Sequence, residues 1–381
     1  MITKIPLKIL SLSQYGSGMS DPDNQFSGAL DRQKDYSQYV TRFDIVVPSS
    51  TGSDKTFSVN ENLDIHPLVV KGIISFYFHA YRKAVELQKK EQYDVIMVDN
   101  PHLMGVLGVV LKWRLGTTLL VHSMADMIHN KWYRIERLSN YIKDICIRFM
   151  LLCTDFVRVS TEYELQRLQT VNAKSNKIHR VSFYIDGESF AQQLTDKKST
   201  GKQLLFVGRL GPQKDLEVLM RAMEDIVETH PDAHLTIVGD GPKRAQLEQQ
   251  AKDLRIDSKV TFTGSIPYSE VAQYFSQSDV FVITSLYEGT CMVLHEAALA
   301  SLPIVSTDFA GAHDFVREGQ EGYLVPIRDH VLFAKKVSEL LSSPEDIERM
   351  GTNAKNRVSN FSREYALAQW QTLCTVLQKE T

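Results

Sequence analysis

Two doubly wound α/β domains are the architecture predicted for this chain of 381 residues. Three observations lead there. Strand-like runs alternate with helix-like runs almost throughout, as βαβ units require. Several strand-like runs are continuously apolar, which suits parallel strands covered on both faces. The chain is also too long for one ordinary core. Hydrophobic residues at 43% and charged residues at 23% are globular values, with no sign of general disorder.

In the first half, strands are expected at 7–12, 43–47, 93–98, 118–122, 156–160 and 178–182, with helices such as 70–89 and 101–114 between them. The stretch 187-GESFAQQLTDKKSTGK-202 then breaks the pattern with polar, turn-forming residues. A second series follows, with strands at 204–207, 235–238, 260–263, 280–284, 303–306 and 322–324, and helices at 214–229, 242–254, 268–276 and 292–301. The division that results is an N-terminal domain 1–188, a linker 189–202, a C-terminal domain 203–360 and a terminal amphipathic helix in 361–381. In such sheets ligands sit at the carboxyl ends of strands, so the residues that end each strand carry the functional reading.

The formal net charge of −3 argues against whole-protein attraction to nucleic acid. Cys146, Cys153, Cys291 and Cys374 have no CxxC or Cys/His zinc spacing. The N-terminus lacks a signal-peptide apolar region, and no stretch has the roughly 18 uninterrupted apolar residues that span a bilayer. The expectation is a cytoplasmic protein.

In 204-LLFVGRLGPQKDLEVL-219 a buried strand ends at Gly208, Arg209 follows, and Lys214 comes where a helix should begin. A glycine turn, two cations and a helix start together suit a diphosphate; a solvated Arg and Lys on a loop is the plain alternative. In 236-TIVGDGPKRAQL-247, Pro242 and its flanking glycines are ordinary turn and helix-start chemistry, although Gly239 and Gly241 also let backbone approach a ligand. The stretch 281-FVITSLYEGTCMVLHEAALASLPIVST-307 holds Glu288 and Glu296 across a strand-to-helix turn. On one helix they would lie about 12 Å apart along the axis, beyond the roughly 5–9.5 Å of glycosidase carboxylate pairs. Both instead suit one elongated, hydroxyl-rich ligand, with the amides of Gly289, Thr290 and Cys291 as donors to phosphate or hydroxyl oxygens. Glu296 stands on an otherwise apolar run with Met292, Val293, Ala297 and Ala300. His122 ends a strand, with Asp126 four residues on, and is either structural or functional. His313 and Asp314 follow a later strand, where helix capping explains Asp314. In Asp21-Pro22-Asp23 the metal-binding Asp-x-Asp look is outweighed by turn formation.

Taken together these residues resemble the family 4 (group 1) retaining glycosyltransferases of the GT-B fold. Gly208, Arg209 and Lys214, the Glu288/Glu296 pair, and then Gly311, Gly319, Gly322 and Pro326 follow the family's order over about 200–330. A weaker match covers the first half, where 94–100 and 121–122 fall in register. The resemblance implies two Rossmann-like domains facing across a cleft, the C-terminal helix crossing back to the N-domain, and a nucleotide-diphosphate sugar as donor. Arg209 and Lys214 would neutralise the diphosphate, Glu296 hold the ribose, Glu288 approach the sugar and His122 meet it across the cleft. Gly264, Ser265 and Ile266 would face the base, and Gly208, Gly289, Thr290, Cys291 and Met292 would complete the donor site. Neither a metal nor a cofactor is implied, and the reaction would retain anomeric configuration, in polysaccharide, lipopolysaccharide or glycolipid assembly.

The sequence departs from the family pattern in places. The usual glycine pair of the first loop is replaced by 14-QYGSGMSDPDNQF-26, where Gly16 or Gly18 would serve; Phe183-Tyr184 replaces Asn-Gly, and His313-Asp314 replaces Pro-Glu. Two rivals stay open: a nucleotide-sugar epimerase or hydrolase on the same scaffold, and a non-catalytic nucleotide-sugar-binding accessory subunit. The segment 130–152 mixes five cations with Trp132, Ile135, Leu138, Ile142 and Ile145. It reads either as a basic amphipathic surface for the inner face of the cell membrane, with a saccharide or lipid-linked acceptor, or as a core helix with a solvated basic face.

Overall fold

The computed structural model describes residues 4–14, 19–21, 28–123, 126–128, 130–171, 177–184, 187–195, 202–358 and 361–381. They form two compact units, Met1–Ser182 with Glu364–Thr381, and Phe183–Arg363. The first unit runs β1 (Ile5–Leu12), α1 (Gly28–Ser37), β2 (Val40–Pro48), β3 (Phe57–Asn60), β4 (Leu63–Leu68), α2 (Ile73–Glu91), β5 (Val95–Asp99), α3 (Leu103–Leu115), β6 (Thr118–His122), α4 (Lys131–Glu136), α5 (Leu138–Cys153), β7 (Phe156–Val159), α6 (Glu162–Val171) and β8 (Ile178–Arg180). Its eight-stranded sheet has the order β3-β4-β2-β1-β5-β6-β7-β8. Every neighbouring pair is parallel except β3–β4.

The second unit runs α7 (Gly187–Gln193), β9 (Gln203–Val207), α8 (Leu216–Thr229), β10 (His234–Val238), α9 (Arg244–Asp253), β11 (Val260–Gly264), α10 (Tyr268–Ser276), β12 (Val280–Ile283), α11 (Met292–Leu299), β13 (Ile304–Thr307), β14 (Gly322–Val325), α12 (His330–Leu341) and α13 (Pro344–Val358). Its six strands are all parallel, in the order β11-β10-β9-β12-β13-β14. The central strands are buried on both faces: Leu204, Leu205, Phe206, Phe281, Val282 and Ile283 are all fully enclosed. Helix α8 shows how the layers close. Its buried residues Leu216, Leu219, Met220, Met223 and Ile226 recur at helical spacing and form one inward stripe.

The strand order of the second sheet reverses at β9. Strands β10 and β11 step away on one side, and β12 returns to pair with β9 on the other. The loops that leave β9 and β12 therefore diverge at a topological switch point, where open α/β sheets bind ligands. In the first sheet the reversal lies between β1 and β5.

Helix α14 (Arg363–Glu380) closes the chain on the first unit. Trp370 is fully buried there, its ring centroid 4.7 Å from that of Tyr36, and its indole N–H donates to the Tyr36 carbonyl at 3.1 Å. The Arg158 guanidinium lies 4.9 Å from the Tyr36 ring and 5.4 Å from the Trp370 ring, and donates to the Tyr36 hydroxyl at 2.8 Å. A buried arginine is thus accommodated by two aromatic faces.

The structure differs from the sequence reading in three places. The β3–β4 hairpin was missed because its apolar residues are few and Pro67 interrupts it. Pro67 pairs with Val47 on β2 but lies beyond the β3 register, where β4 is an edge and tolerates proline. The chain leaves the first unit at Ser182, ahead of the boundary expected at 188. Part of the expected linker is helical: α7 buries Phe190 edge-on against Phe275 at 5.6 Å. Residues 196–201 of that linker lie outside the described residues.

Replacing Trp370 with Ala removes the largest buried side chain of the first unit. The expected loss is about 3–5 kcal/mol, read as a lower urea midpoint. A shift within error would show that α14 is dispensable to that unit.

Candidate functional site

The loops at the switch point are joined before any ligand is considered. After β9 the chain passes Gly208 and Arg209, makes a 3-10 turn at Pro212–Lys214, and enters α8 only at Leu216. Lys214 therefore precedes the helix instead of starting it, and Asp215 takes the cap position at φ 45°. After β12, residues 284–291 lead into α11. Hydrogen bonds tie the two loops together, and another ties the β12 loop to the end of β13. Thr284 Oγ1 donates to the Lys214 carbonyl at 2.9 Å, and the Leu286 amide to the Gln213 carbonyl at 2.8 Å. Gln213 Nε2 donates to the Tyr287 carbonyl at 2.7 Å, and Thr307 Oγ1 to the Ser285 carbonyl at 2.7 Å.

This stitching brings Lys214 Nζ to 2.6 Å from Glu288 Oε1, with side chains only 14% and 15% exposed. Ser285 Oγ donates to the same Glu288 oxygen at 3.2 Å. Burial alone would lower the Lys214 pKa, but the adjacent Glu288 charge raises it above the usual lysine value, so the ammonium persists. Beneath it, Gly208 leaves room: a Cβ there would lie 3.4 Å from Lys214 Cε. Buried Cys291 has its thiol pushed up to about 12 by burial, against the pull of Lys214, and is not a thiolate at neutral pH.

Two glycines hold these loops by close approach. A Cβ on Gly239 would lie 2.0 Å from the Gly208 carbonyl oxygen, and one on Gly311 would lie 2.0 Å from that of Gly289. Gly239 therefore serves backbone-to-backbone packing, and Gly311 seats the Glu288 loop against the turn after β13. The Thr290 hydroxyl is buried without a hydrogen-bond partner among the described residues.

Glu296 lies on α11 and is buried. Burial pushes its carboxyl pKa up to about 7, although the Tyr268 hydroxyl, donating to Oε1 at 3.0 Å, pulls the other way. Tyr268 opens α10, after Gly264, Ser265, Ile266 and the cap residue Pro267. The Gly239 amide donates to the Gly264 carbonyl at 3.0 Å, so that loop is anchored to the β10 loop.

A scan of family models matches 188–357 to "Glycosyl transferases group 1" and 41–188 to "Glycosyltransferase Family 4". The chain belongs to this glycosyltransferase family. The N-acetyl-alpha-D-glucosaminyl L-malate synthase of Bacillus anthracis is 24% identical over 328 residues, covering 83% of this chain and 84% of that protein. Sucrose-phosphate synthase from Thermosynechococcus elongatus has a similar structure at TM-score 0.77 and 20% identity, covering 98% of this chain and all of the other. HepE of Anabaena in complex with UDP has TM-score 0.69 at 17% identity, covering 98% of this chain and all of the other. Both carry the GT-B fold of the family, which is the fold of this glycosyltransferase.

Within the glycosyltransferase, Lys214 meets Glu288, Gly208 lies under Lys214, and Gly289 abuts Gly311. Glu296 pairs with Tyr268, which the sequence reading named only as the first residue of the helix 268–276. Gln213 and Thr284, which lock the loops, gave no motif at all. Arg209 is exposed, and its side chain forms no ion pair among the described residues. Met292 is the first residue of α11. Gly16, Gly18, Pro22 and Asp23 lie outside the described residues.

In the first unit His122 is buried, its Nδ1 lying 3.3 Å from Asp99 Oδ1. Burial, reinforced by Arg158, lowers the His122 pKa to about 4, so the imidazole is neutral at pH 7. Asp126 is engaged by Arg167 and Asn130. Asp314 lies buried in the 3-10 turn Ala310–Asp314, not at a helix cap. Asp44, Asp64 and His66 place ligand-type atoms within 4.8 Å of one another, but Arg42 donates to both carboxylates and the Tyr93 hydroxyl to Asp44. That cluster is already met by protein donors.

Glu288→Ala leaves a buried ammonium without its partner and is expected to cost about 3 kcal/mol or more, whereas Glu288→Ala with Lys214→Met should recover most of it. Urea unfolding of both singles and the double variant measures the coupling; additive losses would show that the pair contributes nothing.

Proposed function

We propose that this glycosyltransferase moves a sugar from a nucleotide-diphosphate donor to a hydroxyl acceptor, retaining anomeric configuration and using no metal ion. The observation that supports this most is the joined pair of loops at the switch point, with a cation, a carboxylate and a hydroxyl unpaired among the described residues within it, and a second buried carboxyl on the helix that follows. Lys214 and Arg209 meet the diphosphate, and its charge competes with Glu288 for Lys214. Glu288, released, accepts hydrogen bonds from the sugar. Glu296 accepts from the ribose hydroxyls, with Tyr268 fixing its orientation. Gly289, Thr290, Cys291 and Met292 at the start of α11 offer donors to phosphate oxygens. Gly264, Ser265 and Ile266 face the base, and His122, neutral at pH 7, is assigned to the transferred sugar.

In the reaction, the bond between the anomeric carbon and the diphosphate oxygen breaks and the acceptor oxygen bonds to that carbon on the same face. The acceptor proton passes to a diphosphate oxygen. Charge on the leaving group is met by fixed side-chain cations and helix amides. UDP-sugars are the first donors to test, since HepE was crystallised with UDP. The acceptor in this reading is a saccharide or a lipid-linked hydroxyl, with peripheral membrane contact through 130–152.

Incubation with UDP-sugars and an acceptor panel should give α-linked product from α-linked donor by NMR, unchanged by EDTA. Inverted product, or loss of turnover in EDTA, would refute retention or metal independence respectively. Arg209→Ala with Lys214→Ala should lower turnover by about 100-fold or more; near-normal rates would remove the diphosphate assignment.

Nucleotide affinity should also rise with pH. A carboxyl whose pKa is raised to about 7 is mostly protonated below it, and only its ionised form accepts from both ribose hydroxyls. Calorimetry should show tighter UDP binding as pH rises from 6 to 8 (about 6 and 8, either side of the shifted value), and a flat profile in Glu296→Gln. A wild-type profile as flat as the variant's would dissociate Glu296 from the ribose.

A further inference from the structure

Helices α2, α3 and α5 follow three successive crossovers, β4 to β5, β5 to β6 and β6 to β7, that all step the same way across the first sheet. Right-handed connections therefore place all three on one face of it. They pack as neighbours, α2 on α3 and α3 on α5. Gly105 of α3 lies so near α5 that a Cβ there would come within 2.8 Å of Met150 Cγ. At the outer side of the same contact the Trp113 and Phe149 rings meet edge-on at 6.3 Å.

The outward side of this layer is apolar. Of eighteen exposed large hydrophobic residues among those described, fourteen lie between Val69 and Leu152. Helix α5 is turned inside out. It buries Asn140 and Asp144 beside Ile147 and Met150, while Leu138, Ile142, Ile145 and Leu152 are 65–85% exposed. Their spacing puts them on one stripe of the helix. A core helix with only a solvated basic face does not account for this exposed apolar stripe. Trp113 and Val110 of α3, then Ile74 and Phe78 of α2, carry exposed apolar surface onto the adjacent helices.

The charge of the layer is as uneven as its polarity. Over α2, α3 and 131–153 there are eleven Lys and Arg against four Asp and Glu, in a chain of net charge −3. Among the acids, Asp144 is paired with Arg148, and Glu86 with Lys83 and Lys90. No described helix is long and apolar enough to cross a membrane. A second copy meeting the same face would set cations against cations. An anionic bilayer surface satisfies both features, since aliphatic side chains enter the headgroup boundary while Lys and Arg meet lipid phosphates.

We infer that the joint outer face of α2, α3 and α5 is a docking surface for an anionic lipid bilayer. This enlarges the peripheral contact proposed for 130–152 into a three-helix plane, and rests on that part of the functional reading but not on the transfer chemistry. The full chain should sediment with vesicles of phosphatidylcholine mixed with phosphatidylglycerol and stay in solution with phosphatidylcholine alone. Added salt should weaken the partition, because the headgroup attraction is screened. Ile142→Asp with Ile145→Asp should lower the partition about tenfold without changing the unfolding temperature, since both side chains are exposed. Trp113→Ser provides an independent variant on α3, expected to act in the same direction. Equal recovery with and without vesicles would overturn the inference. So would concentration-dependent self-association, by sedimentation velocity without lipid, that the Ile142/Ile145 variant abolishes. Transfer to a soluble acceptor, assayed without vesicles, separates this failure from failure of the enzymatic reading.

Discussion

An ammonium and a carboxylate, almost dry and 2.6 Å apart, constrain everything around the switch point. Neither charge is tolerated alone at that depth, because the cost of desolvation is offset only by the partner. The loops that carry them must therefore stay in register. Gln213, Thr284 and Thr307 supply the hydrogen bonds that hold them, and Gly311 supplies the space. In the proposed reading a diphosphate takes over Lys214, and the sugar hydroxyls that donate to Glu288 keep its carboxylate from being left alone.

Glu296 obeys the opposite logic. Among the described residues no cation offsets its burial, only the Tyr268 hydroxyl donates to it, and so its carboxyl stays partly protonated near neutrality. Two glutamates eight positions apart in sequence are thereby set in different surroundings. One lies against a lysine ammonium; the other has only a tyrosine hydroxyl donating to it among the described residues. Pairs of carboxyls with divergent environments are a recurrent mark of functional sites.

Much of this was legible in the sequence. Alternating apolar runs located both sheets, and nearly every strand of the second unit begins and ends within a residue or two of its expected place. Glu288, Glu296, Lys214 and Gly208 were identified from motif order. What escaped was contact across sequence distance. Nothing local tells that Lys214 meets Glu288, that Tyr268 reaches Glu296, or that Gly239 packs on Gly208. The β3–β4 hairpin was hidden by its low apolar content and by Pro67. Helix α5 was ambiguous for a different reason: an amphipathic pattern reports two faces but not which one turns inward, and Asn140 and Asp144 turn inward here.

A crystal structure with a nucleotide-diphosphate sugar bound tests the central claim most directly. The account predicts diphosphate oxygens against Lys214 Nζ and Arg209, the ribose hydroxyls on the Glu296 carboxylate, and Glu288 detached from Lys214. A donor bound elsewhere, with the Lys214–Glu288 pair intact at 2.6 Å, would contradict it.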